Sequence, residues 1–220
     1  TACGGTSPYA IQSEIDAGNF EGAAEKLAKR RDAYPDDFDT RLNLADVYYQ
    51  LARESLDAKN QTAYVDYLAK AQAEVLEAVR IDPTSPRPHT WLGIITAYQG
   101  DLDSSETSFK NALRLNLAER MELRAGTYYS NIAHISVYQG KLGDARRYLD
   151  KGVKNGAPQD EIDRISVLAA WKANDMVEAR DVFNSAIVLS PAFGATWDGA
   201  PLPQPRLLDL NLVVAELDRM

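Results

Sequence analysis

Five times along the 220-residue chain a small side chain is followed four residues later by a large apolar one. Three residues further comes a position that is small in four of the five cases, and five beyond that a residue that is Pro in three. The set reads Ala23, Leu27, Arg30, Pro35, then Ala71, Val75, Ala78, Pro83. It recurs as Ser105, Phe109, Ala112, Leu117, as Ala145, Leu149, Gly152, Ala157, and as Ala179, Phe183, Ala186, Pro191. Successive anchors lie 48, 34, 40 and 34 residues apart, so two intervals share one unit length and two carry insertions. Offsets of four and three residues place such positions on one helical face, and proline ends a helix for want of an amide donor. The constraint on the fold is therefore a stack of helical hairpins crossing at small residues. A generic helical bundle explains amphipathicity but not this fixed order at this period.

The helices preceding each anchor carry the complementary half, an aliphatic residue followed at once by a small one: Leu44-Ala45, Leu92-Gly93 and Ile132-Ala133. Between helices, Tyr98-Gln99-Gly100-Asp101-Leu102 reappears as Tyr138-Gln139-Gly140-Lys141-Leu142. A glycine there suits a turn that needs positive φ, and Gly18 takes the same place in the first unit. Ser85-Pro86 is a helix start, with a capping hydroxyl before a proline at the first helical position. The excess of unit two falls between Leu51 and Tyr67 in helix-forming sequence, which predicts a protruding hairpin of two long helices. The extra residues around Glu119–Arg124 predict one long helix from Asn116 to Gln139.

These residues resemble the tetratricopeptide repeat family over roughly residues 7–191. The resemblance implies an all-α chain, a right-handed α-solenoid of about five helical hairpins whose concave groove holds polypeptide. The units are expected at about 7–37, 38–85, 86–119, 120–158 and 159–191, after a flexible segment 1–6. A Pro/Gly-rich loop at 192–205 and a C-terminal capping helix at 206–220 follow, the tail having the alternative of folding into the groove. The sequence departs from the family at the tryptophan that usually opens the first helix, replaced by Arg41, His89 and Tyr129, and around Ile165 to Trp171.

In the family the groove is lined by outward residues of the first helices. Carried onto this chain, that gives Asp46, Tyr49 and Gln50; Thr90, Ile94 and Tyr98; Ser130, His134 and Tyr138; and Leu168 and Trp171. Aromatic side chains there can stack on an extended peptide at low entropy cost; packing between units is the competing role for Tyr98, Tyr138 and Trp171. Members that clamp a C-terminal carboxylate carry Lys, Asn and Arg on successive first helices. Here Asn43 and Arg87 occupy two of those places, but Pro8, Gln12 and Trp91 fill others, so the clamp is incomplete.

Composition narrows the function further. Twenty-four Lys and Arg against 32 Asp and Glu leave a net charge of −8, which repels phosphate backbones, so nucleic acid is not expected as a partner. The two histidines, His89 and His134, and the single cysteine show no metal-ligand spacing, and no phosphate loop is present; neither cofactor nor catalysis is expected. Thr1-Ala2-Cys3-Gly4-Gly5 resembles the end of a bacterial lipobox, in which a small residue precedes a cysteine that becomes lipidated. The expectation is a protein-binding scaffold or assembly factor attached through Cys3 to the periplasmic side of an outer membrane. A soluble cytoplasmic adaptor or chaperone is the alternative, and a small-ligand binder or enzyme using Tyr98, His134 and Tyr138 is a third reading.

Overall fold

The structure is a computed structural model that describes residues 7–118, 125–175 and 178. Every regular element among the described residues is an α-helix. The order is α1 (Pro8–Asp16), α2 (Phe20–Ala33), α3 (Phe38–Asp57), α4 (Gln61–Ile81), α5 (Pro86–Tyr98), α6 (Leu102–Ala118), α7 (Ala125–Tyr138), α8 (Leu142–Lys154) and α9 (Gln159–Lys172). None is long and apolar enough to cross a membrane.

Local chemistry sets the ends. Ser7-Pro8 opens α1, the Ser7 hydroxyl accepting from the Ala10 amide, and Ser85-Pro86 opens α5 with the Arg87 amide directed at the Ser85 hydroxyl. Five hairpin turns share one backbone solution. A residue in the left-handed region, Gly18, Lys59, Gly100, Gly140 or Asn174, follows the helix. Its amide and the next one reach back to carbonyls three and five residues earlier, as in Gly18 to Ile15 at 2.9 Å and Asn19 to Glu14 at 2.8 Å. In three of the turns the residue after it caps the next helix, Asn19, Asn60 and Asp101 each accepting from the amide three residues on, and Asp175 likewise accepts from the Glu178 amide. The glycines anticipated at three turns are present with positive φ, and Lys59 and Asn174 perform the same service in the other two.

Two compact units divide the chain between Ile95 and Thr96, a boundary that falls inside α5. In the first, α1, α2, α3 and α4 pack in sequence order, each on the next. Ala23, Ala71 and Ala78 are solvent-free where helices cross, and Leu27, Leu44, Val47 and Val75 fill the space beside them. Each such large side chain contributes about 1.5–3 kcal/mol on burial. The excess residues of the second hairpin lengthen both partners, to 20 residues in α3 and 21 in α4. Beneath their crossing, Glu74 of α4 is buried and accepts from Arg31 of α2 at 2.7 Å and Arg41 of α3 at 2.6 Å, which ties three helices together.

In the second unit α6, α7, α8 and α9 follow the same rule, and α7 also touches α9. Ser105, Ala112, Ala133 and Ala145 are fully buried, with Phe109, Ile132 and Leu149 beside them. At the start of α7, Gly126 lets the turn after α8 approach so closely that a Cβ would stand 2.3 Å from the Ala157 amide nitrogen. Glu106 of α6 accepts from Lys110 at 2.5 Å and Lys141 at 3.0 Å. Burial alone would raise its pKa, but those two cations and Gln139 hold the carboxyl down at about 2. One expectation is corrected: Asn116 belongs to α6, where it is buried, and α6 packs against α7, so no single helix runs from Asn116 to Gln139. Residues 119–124, the anchors Ala179, Phe183 and Ala186, the segments 192–205 and 206–220, and Cys3 lie outside the described residues.

Candidate functional site

The candidate residues sit on α3, α5, α7 and α9, the first helices of successive hairpins, and their surroundings sort them by what they can offer a partner. In the unit before Thr96, Tyr49 stands edge-on to Trp91 of α5, ring centroids 5.7 Å apart and planes at 65°, so much of its ring is engaged in helix packing. Thr90 is partly buried and donates its hydroxyl back to the Pro86 carbonyl at 3.0 Å. Ile94 is partly buried beside it. Gln50 donates to Asp46 at 3.2 Å, and Asp46 is half-buried, which pushes its carboxyl above the ordinary range. Asp46 also lines a cavity of about 450 Å³ floored by Ile11, Ile15 and Leu27 from α1 and α2.

In the unit from Thr96, His134 and Tyr138 lie one turn apart on α7. Their polar tips are 3.1 Å apart and the ring centroids 4.9 Å. Loss of water, followed by the positive charge of Arg164 on α9, pushes the His134 pKa down to about 4, so the imidazole is neutral at physiological pH. Burial, and then nearby Tyr98, raises that of the Tyr138 phenol. On α9, Glu161 is held at about 7, again mainly by burial, with Asp160 adding to the rise and Arg164 opposing it. Tyr98, His134 and Tyr138 thus form a half-buried surface of aromatic faces with hydroxyl and imidazole tips. Such a surface is suited to stacking and hydrogen bonding.

Ser130, one turn before His134, is fully buried and donates to the Gly126 carbonyl at 3.2 Å. Its hydroxyl lies toward α8, where a Cβ on Gly152 would come 3.4 Å from it. Leu168 is likewise core, packed with Ala133, Val137 and Ile165, while Trp171 is partly exposed at the end of α9. Of the two clamp-like residues, Arg87 meets Asp39 at 2.9 Å and lies over the Phe38 ring, and Asn43 lines the cavity beside Asp46. Sequence reasoning missed Trp91 as the partner of Tyr49 and Arg164 as the charge beside His134, and it did not foresee the cavity. Among the described residues no three His, Cys, Asp or Glu side chains are grouped as metal ligands.

Comparison with known proteins agrees with this architecture. The tetratricopeptide repeat model matches residues 10–60 and 130–192, together more than half the chain. The chain belongs to the tetratricopeptide repeat family, whose members typically bind other proteins and are not catalysts. No curated protein matches the chain significantly. Among solved structures, a thermophilic member from Thermus thermophilus is 21% identical, with 73% of this chain and 78% of that one covered and a TM-score of 0.61. MamA is 17% identical over 84% of this chain and 96% of its own, at 0.63. PilW, a widely conserved type IV pilus biogenesis factor, is 17% identical over 81% and 73%, at 0.65. At these identities the likeness is one of fold.

Proposed function

We propose that this chain is a non-catalytic assembly scaffold that holds a segment of a partner protein on the open faces of its first helices, anchored by lipid on Cys3 to the periplasmic side of a bacterial outer membrane. The observation that carries the binding part is the surface of Tyr98, His134 and Tyr138. Half-buried rings with polar tips give a peptide contact area at low entropy cost. The anchoring part is supported by the Thr1-Ala2-Cys3-Gly4-Gly5 sequence, since a multiply acylated cysteine holds a protein stably at a membrane. That PilW, of similar fold, is a pilus biogenesis factor makes assembly of a surface structure a fitting setting, on the ground of fold alone.

The binding test is the double substitution Tyr98→Ala and Tyr138→Ala. Partner recovered by crosslinking in native cells should fall at least tenfold while the helical circular dichroism stays intact; unchanged recovery refutes recognition by this face. The anchoring test is growth with labelled palmitate. Incorporation that disappears in Cys3→Ala is the expected result, and an unlabelled protein leaves the cytoplasmic adaptor as the reading that stands.

A further inference from the structure

The cavity in the unit before Thr96 has a chemical character of its own. Most of its lining is polar or charged, Gln12, Asn43 and Asp46 included, and a short aliphatic strip comes from Ile15 with the edges of the buried Ile11 and Leu27. A volume of about 450 Å³ lies within the range of small-ligand pockets and is ample for one long side chain. Three carboxylates and one guanidinium line it, and most of that charge is already engaged. Arg30 donates to Thr40 at 2.9 Å and to Asp37 at 3.0 Å, and Asp37 caps α3 through the Thr40 amide. Asp39 meets Arg87 at 2.9 Å on the exposed side.

Asp46 differs from both. Its hydrogen-bond donor is the neutral amide of Gln50, and it forms no ion pair among the described residues. A carboxylate drawn half out of water without a cation costs stability, and here that cost falls in a mostly polar cavity that carries a short aliphatic strip. Long aliphatic stems ending in a cation match this arrangement: the stem lies along apolar surface while the head reaches a polar tip.

We propose that the cavity seats a lysine or arginine side chain of the bound partner segment, its stem along Ile15 and the edge of Ile11 and its charged head on Asp46. The inference rests on the reading that first-helix faces hold polypeptide, and it adds which residue type this face selects. The chain's net charge of −8 favours the approach of such a segment. It is the reverse of a carboxylate clamp, in which the domain supplies the cations.

The test is selection from a display library of random dodecapeptides on the full chain, followed by fluorescence titration of the enriched peptides. Enriched sequences should carry Lys or Arg at a fixed position, and replacing that residue with norleucine should weaken binding at least tenfold. Asp46→Asn should weaken the parent peptide to the same extent, leave the norleucine peptide unaffected, and melt no lower than the wild type, because it removes an uncompensated half-buried charge. Asn43→Lys, which places a resident cation in the cavity, should abolish the preference independently of how Asp46→Asn folds. Enriched peptides without a basic residue, or basic peptides indifferent to both substitutions, overturn this inference while leaving polypeptide recognition standing. Enrichment of no peptide at all overturns both.

Discussion

Gly126 is where the nesting of helices can be broken by one methyl group. An ideal Cβ there would lie 2.3 Å from the Ala157 nitrogen, 2.6 Å from the Asn155 carbonyl oxygen and 2.7 Å from the Gly156 carbon. All three are backbone atoms of the turn between α8 and α9, so no side-chain rotation relieves the contact. Ordinary separation requires the turn to withdraw by about an ångström. That movement strains the hydrogen bond from the Ala157 amide to the Gly152 carbonyl, now 2.9 Å. Overpacking of this kind costs about 1–3 kcal/mol and the hydrogen bond about 1 kcal/mol, while alanine returns roughly 1 kcal/mol of helix propensity. Gly126→Ala should therefore destabilise by about 2 kcal/mol, which for a chain of this size lowers Tm by roughly 4–8 °C. Gly143, in the first turn of α8, has nothing within 4 Å of its Cβ position, so Gly143→Ala should leave Tm unchanged or raise it by roughly 1–3 °C. Thermal unfolding followed by circular dichroism at the helical minimum reads both. A Gly126→Ala protein as stable as the wild type would mean that α7 does not approach that turn as described.

Removing the Glu74 carboxylate, as in Glu74→Ala, leaves Arg31 and Arg41 without the acceptor that joins α2, α3 and α4, and urea unfolding should show a loss of about 3 kcal/mol. Glu106 has a folded-state pKa depressed from 4.5 to about 2, so the stability it supplies is present above pH 4.5 and is lost as pH falls toward 2. Melts of Glu106→Gln should show a flatter pH dependence across that window than the wild type. His134 is depressed from 6.5 to about 4, so the folded state resists protonation and stability falls as pH drops from 6.5 toward 4. The imidazole resonance should titrate near 4, and a midpoint near 6.5 would place the ring in open water.

The architecture was legible because its determinants are local. A small residue at a crossing, a large one a turn later and a turn residue at positive φ are each required within a few positions of one another, so the chain displays them in order. Lys59 and Asn174 hide that rule, since the turn needs a backbone conformation and not glycine itself; the polar residues after them, Asn60 and Asp175, are the visible signal. The binding face was less legible. Ser130, His134 and Tyr138 are spaced for one side of α7, yet Gly126 and Gly152 bring neighbouring backbone in at one end, so Ser130 is buried while the other two remain partly open. Asp46 stood out by its place on α3, but its cavity requires α1 and α2 to stand opposite, which is a relation between segments some 30 residues apart. The insertion in unit two could be read directly, because helix-forming sequence on both sides of Lys59 can only lengthen the hairpin.

The central claim, that a partner segment lies on first-helix faces, is tested most directly by site-specific photocrosslinking in the native cell. A photoreactive residue would be placed in turn at Asn43 and Tyr138, and at Val65 and Leu76, exposed apolar positions of α4. Partner adducts from Asn43 and Tyr138, with none from Val65 and Leu76, are the predicted result. Adducts confined to the α4 positions would contradict it and move recognition to the long second hairpin.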